Sequence, residues 1–172
     1  MWVEMEDFVQ FVTIAEIAGI FVGFAALISV TRRSEFGASQ LGQIRAVVTI
    51  GLVVVAAGLV PVTLSAYNVA GRTVWTVAAV VYLGLNWTVI ALALRRPENR
   101  RLAAGQARTT PVVTVFFWLL EIPIQVPLVL ILFGVDPELD AAFYLTALVF
   151  HLFEAALVLA QLVYAQVGRH QA

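Results

Sequence analysis

Five runs of apolar residues, at about 8–30, 44–66, 74–94, 112–133 and 141–167, dominate this chain. Each is long enough to cross a hydrocarbon core of about 30 Å at about 1.5 Å of helical rise per residue. A soluble domain could not hide so much apolar surface: 62% of residues are hydrophobic and only 12% charged. Soluble domains run nearer half and a quarter. The expected fold is therefore an all-α integral membrane protein, one transmembrane domain over 1–172 with five spanning helices. The opening MWVEMEDFVQ carries no basic stretch of the kind that precedes a cleaved signal, so the first run is expected to stay as a span.

The polar punctuation between the runs is short, and its charge is lopsided. Arg32, Arg33 and Arg45 flank the first connection, Arg95, Arg96, Arg100, Arg101 and Arg108 crowd the third, and Arg169 lies in the tail. The other side has Arg72 alone, beside Glu4, Glu6, Asp7, Asp136, Glu138 and Asp140. The positive-inside rule then sets the N-terminus outside and the C-terminus in the cytoplasm, in a bacterial inner membrane. Trp2, Tyr67, Trp75 and Tyr144 fall where an outer aromatic belt would lie, and Tyr164 where an inner one would.

Several chemistries are excluded by what the chain lacks. It has no Cys and all ten basic residues are Arg, which removes disulfides, thiol catalysis and a lysine Schiff base. No phosphate-binding glycine loop and no potassium-filter motif is present. With a net charge of −1 and no basic face, no nucleic-acid partner is expected, and no cofactor is implied. The partners expected are the lipid bilayer, protons or small cations, and further copies of the chain as a homo-oligomer.

Candidate functional residues are Glu16, Glu121, His151 and Glu154, ionisable groups inside three of the apolar runs, with no Arg or Lys within those three to neutralise them. An acid at the centre of a spanning helix costs roughly 2.5–3.5 kcal/mol, so each needs a proton, water, a cation or the imidazole. Counting rise from the span ends puts all four within reach of one layer near the midplane, at depths of about 12–20 Å. Thr114, Trp118, Glu121 and Gln125 share one face of the fourth run. Tyr144, Ala147, His151, Glu154 and Gln161 share one face of the fifth. His151 and Glu154, three residues apart, suit a proton relay or a stable pair. Gln125, Gln161 and Asn86 are expected to hydrogen-bond across helices.

Glu121-Ile-Pro-Ile-Gln-Val-Pro127 holds two prolines, which cannot donate to the carbonyls of Leu119 and Pro123. Pro123 and Pro127 are thus expected to hinge the fourth helix or to free carbonyls for a cation. Gly19 and Gly23 form a GxxxG pair on the Glu16 face, while Gly51 and Gly58 lie two turns apart with Pro61 beyond. Both glycine faces are expected to pack helices, within the chain or between copies, and to put Glu16 on a packing face.

Three functions fit these residues. One is a proton or cation channel or carrier using the midplane carboxylates. Another is a non-transporting scaffold or subunit whose polar residues lock helix contacts and whose Arg-rich third connection meets lipid headgroups or a cytoplasmic partner. A metal-dependent or lipid-modifying membrane enzyme is a third, with Glu and His as a short ligand set.

Overall fold

The computed structural model describes residues 2–31, 38–95 and 111–167. It is all helical: α1 Trp2–Thr31, α2 Ala38–Ala66, α3 Arg72–Arg95, α4 Pro111–Phe133 and α5 Asp140–Val167, with a 3-10 turn at Pro137–Leu139. Each of the five contains a stretch long and apolar enough to cross a membrane: Phe8–Thr31, Gln40–Ala66, Arg72–Arg95, Val115–Phe133 and Pro137–Tyr164. The chain is an integral membrane protein by this criterion. The expected span limits agree to within a few residues. The crowded Arg residues at 96–108, with Arg32, Arg33 and Arg169, lie outside the described residues.

Two tight turns connect helices on the side where α1 begins, called here the N-side. Each ends its helix with a left-handed residue that lets the chain reverse. Asn68 (φ 60°) closes α2, with Val69 N–H donating to Leu64 O and Asn68 N–H to Ser65 O. Gly134 (φ 70°) closes α4 in the same pattern, with Val135 N–H on Leu130 O and Gly134 N–H on Ile131 O. Both are Schellman motifs, which satisfy the last carbonyls where no further helical N–H exists.

Helix α5 is the hub, because it packs against all four other helices. α1 and α2 form a close antiparallel pair, set by the glycines of α2. A Cβ on Gly58 would lie 3.0 Å from the Phe11 carbonyl oxygen and 3.3 Å from Ala15 Cβ. One on Gly51 would meet Val22 and the Ala18 carbonyl. In lipid, where helix contact gains little from hydrophobicity, this close backbone approach supplies the packing. Gly51 and Gly58 thus hold α2 close against α1.

Gly19 and Gly23 do not, within the protomer. Nothing approaches within 4 Å of a Cβ on either, and both are exposed. The face α1 buries runs through Phe11, Ile14, Ala15, Ala18 and Ala25 instead. Glu16 follows its glycines outward and is exposed. The reason is periodicity: the 16–19–23 stripe lies about a third of a turn round α1 from the 11–15–18–25 stripe.

The N-side half of the core is aromatic. Tyr144 makes ring contacts with Phe11 (5.8 Å between centroids), Trp75 (5.9 Å) and Tyr82 (5.7 Å). Tyr144 is therefore no belt residue; it is fully buried. Its hydroxyl donates to Ala57 O at 2.8 Å. That carbonyl lies four residues before Pro61, which has no N–H to offer it. A tyrosine from α5 fills the gap a proline leaves in α2. Tyr67 and Tyr164 stay exposed, as belt residues must.

Candidate functional site

Three helices bring a polar layer together about halfway along the bundle. From the N-side ends, Tyr82 lies about 15 Å into α3 and His151 about 17 Å into α5. Asn86 and Glu154, a turn deeper on the same two helices, each lie at about 21 Å, and Glu121 of α4 at about 18 Å. Small neighbours (Ala78 and Ala79 on α3, Ala147 and Ala155 on α5) are fully buried around this layer, which lets the polar side chains meet.

At its centre the Tyr82 hydroxyl stands 2.9 Å from His151 Nδ1, and the two rings stack at 5.8 Å with only 14° between their planes. The same hydroxyl lies 3.3 Å from Ala147 O. It can donate to either acceptor. Donating to Nδ1 leaves the imidazole proton on Nε2; donating to Ala147 O lets Nδ1–H donate back to the tyrosine oxygen. The pair therefore has two arrangements that differ in which ring nitrogen carries the proton.

His151 Nε2 faces Glu154 Oε2 at 3.9 Å, beyond hydrogen-bond length. On α4, Gln125 Nε2 donates to Glu121 Oε2 at 2.9 Å. Glu121 lies within electrostatic range of both Tyr82 and Glu154. Two buried atoms in this layer have no hydrogen-bond partner: Glu154 Oε2, an acceptor, and Asn86 Nδ2, a donor. Buried polar atoms without a protein partner are ordinarily met by water, so the layer has the composition of a small hydrated pocket.

The sequence-derived candidates divide accordingly. Glu121, Gln125, His151 and Glu154 are brought together, but Glu16 is not. Its helix packs on α2 and α5, with the carboxyl turned outward. The polar stripe of α5 holds: Tyr144, Ala147 and His151 are buried and Glu154 partly so. That of α4 holds only in part. Trp118 points outward, 65% exposed, because the buried face of α4 runs through Leu120, Ile124, Leu128 and Ile131, with Glu121 and Gln125 at its edge. Pro123 and Pro127 do not break α4, which continues as one helix from Pro111 to Phe133. Among the described residues no group of three or more His, Cys, Asp or Glu side chains could hold a metal ion.

Tyr82 is the residue that sequence reasoning passed over. A tyrosine at the middle of a spanning run carries its own signal, since a buried phenol needs a partner for its hydroxyl.

A second polar spot lies at the N-side turn. Arg72 Nη2 donates weakly to Ile131 O at 3.5 Å, and its guanidinium rests on Gly134, where any Cβ would collide with it. Asp140, counted among the loop acids from sequence, is 1% exposed with neither carboxylate oxygen hydrogen-bonded, and Arg72 acts on it electrostatically.

Compared with known proteins, the chain matches no family model, no curated protein and no solved structure.

Proposed function

We propose that this protein is a proton or small-cation channel or carrier of a bacterial inner membrane, with its N-terminus outside and its C-terminus in the cytoplasm. The observation that carries the reading is the run of side chains Tyr82, His151 and Glu154. Its members are separated by 2.9 Å and 3.9 Å, and Glu121 is close by. No Arg takes part in it. Two carboxyls without a basic neighbour accept positive charge from outside the chain, as a proton or a small cation. His151, with Nδ1 on the Tyr82 hydroxyl and Nε2 turned toward Glu154, passes a proton by exchanging one tautomer for the other. The orphaned Asn86 Nδ2 and Glu154 Oε2 hold the water that completes the path. The orientation rests on Arg placement, nine residues against one.

The experiment is flux in proteoliposomes under an imposed pH gradient, followed with an entrapped pH dye. Glu154→Gln and Glu121→Gln are expected to slow flux by about tenfold or more, and Tyr82→Phe by less. Wild-type protein that moves no charge, or carboxamide variants that conduct like wild type, end the reading.

A scaffold role has its own support in the two tyrosine hydroxyls that meet backbone carbonyls of other helices, Tyr144 on Ala57 and Tyr82 on Ala147. Absent flux combined with loss of helix packing in the same variants favours that role.

A further inference from the structure

The polar layer is rich in hydrogen-bond donors and poor in oxygen ligands. On α4 the Gln125 amide nitrogen donates to Glu121 Oε2 at 2.9 Å. Chemistry fixes the sense of that amide, since its oxygen would otherwise face a carboxylate oxygen. On α3 Asn86 is only 4% exposed, and its Nδ2, also a donor, has no protein partner. It lies one turn deeper than Tyr82, at the level of Glu154, whose Oε2 is unpartnered too. The Tyr82 hydroxyl and His151 Nδ1 hold each other at 2.9 Å.

Backbone oxygens freed by proline do not supply the missing ligands among the described residues. Ala57 O, released by Pro61, accepts the Tyr144 hydroxyl at 2.8 Å. Pro123 and Pro127 release Leu119 O and Pro123 O, but these belong to the far side of α4. Residues 119 and 123 each lie about 160° round the helix from Glu121, and Leu119 is 56% exposed. A metal cation entering the layer must exchange its hydration oxygens for protein oxygens. Calcium and magnesium take about six or more, and potassium takes rings of carbonyls. A proton needs one acceptor at a time, and the run Tyr82, His151 and Glu154 offers acceptors in succession.

Building on the transport reading above, we propose that the layer passes protons and refuses metal cations, with Gln125 and Asn86 as the residues that set this selectivity. Each amide presents N–H where a cation would need oxygen. Water is still welcome, because it accepts from Asn86 Nδ2 and donates to Glu154 Oε2. A carboxylate in place of either amide inverts the supply: Gln125→Glu beside Glu121, or Asn86→Asp at the level of Glu154, exchanges two N–H donors for a further acceptor oxygen.

The test compares cargoes in proteoliposomes. With thiocyanate as permeant counter-ion, an imposed pH gradient is expected to collapse equally fast whether the bath cation is sodium, potassium or N-methylglucamine. Uptake of radioactive sodium or rubidium by the wild-type protein is expected to match that of empty liposomes. Gln125→Glu and Asn86→Asp are each expected to raise sodium uptake by about threefold or more, as rings of acids do in cation channels. Wild-type protein that takes up either metal ion overturns the inference, and that comparison needs no substitution to fold. Carboxylate variants that still conduct protons and still exclude sodium overturn it as well. Wild-type protein that moves neither protons nor metal ions fails differently: it removes the transport reading, and the selectivity falls with it.

Discussion

Removing the Tyr144 hydroxyl tests the most specific helix-to-helix link in the bundle. Tyr144→Phe deletes one oxygen and leaves Ala57 O without a donor, because residue 61 is proline. A buried group stranded in this way costs about 1–3 kcal/mol in soluble proteins. Interhelical hydrogen bonds in membranes average about 0.6 kcal/mol and reach about 1.7, since the unfolded helix usually finds another partner. Here α2 itself cannot supply the partner, so the upper part of that range applies, about 1.5 kcal/mol. Pro61→Ala restores a backbone N–H to Ala57 O. In that background Tyr144→Phe should cost about 0.5 kcal/mol or less, giving a coupling of about 1 kcal/mol between α2 and α5. Steric trapping or SDS-driven unfolding in bicelles, across the four proteins of the cycle, measures it. Equal costs of Tyr144→Phe in the two backgrounds would refute the claim that the tyrosine replaces the proline's missing donor.

Four further outcomes follow from the same geometry. Gly58→Ala should destabilise by about 1–3 kcal/mol, because its Cβ meets the Phe11 backbone carbonyl at 3.0 Å, which cannot rotate away. Gly19→Ala meets nothing in the protomer and should leave its unfolding unchanged or raise stability by up to about 1 kcal/mol through helix propensity. Gly134→Ala combines a left-handed backbone with displacement of Arg72, and should cost about 1–2 kcal/mol in thermal unfolding; a change under a few tenths would contradict that placement. For orientation, a cysteine at Gly71 should react with an impermeant maleimide added outside intact cells and one at Gly105 only after permeabilisation; the reverse pattern inverts the topology.

The membrane character and the five spans were readable in the sequence because they depend on length and transfer energy, both additive along the chain. So was the relation of His151 to Glu154, since helical spacing alone puts them on one face. The gap at Ala57 was implied by Pro61 as well. Which partner met each group was a different matter. Tyr144 sits at belt depth in the sequence, yet packing turns it inward to Ala57 O, and Tyr82 gains its meaning only from the imidazole that α5 brings opposite. Glu16 and Glu154 are both acids within apolar helices, and nothing local separates them. The rotation of α1 leaves one outside, and the central position of α5 draws the other in. Helix rotation is decided by close packing between surfaces far apart in the chain, here Gly51 and Gly58 against Ala15, Ala18 and Val22. Tertiary structure alone carries that information, because the sequence presents two glycine faces of equal merit and the fold consumes one of them.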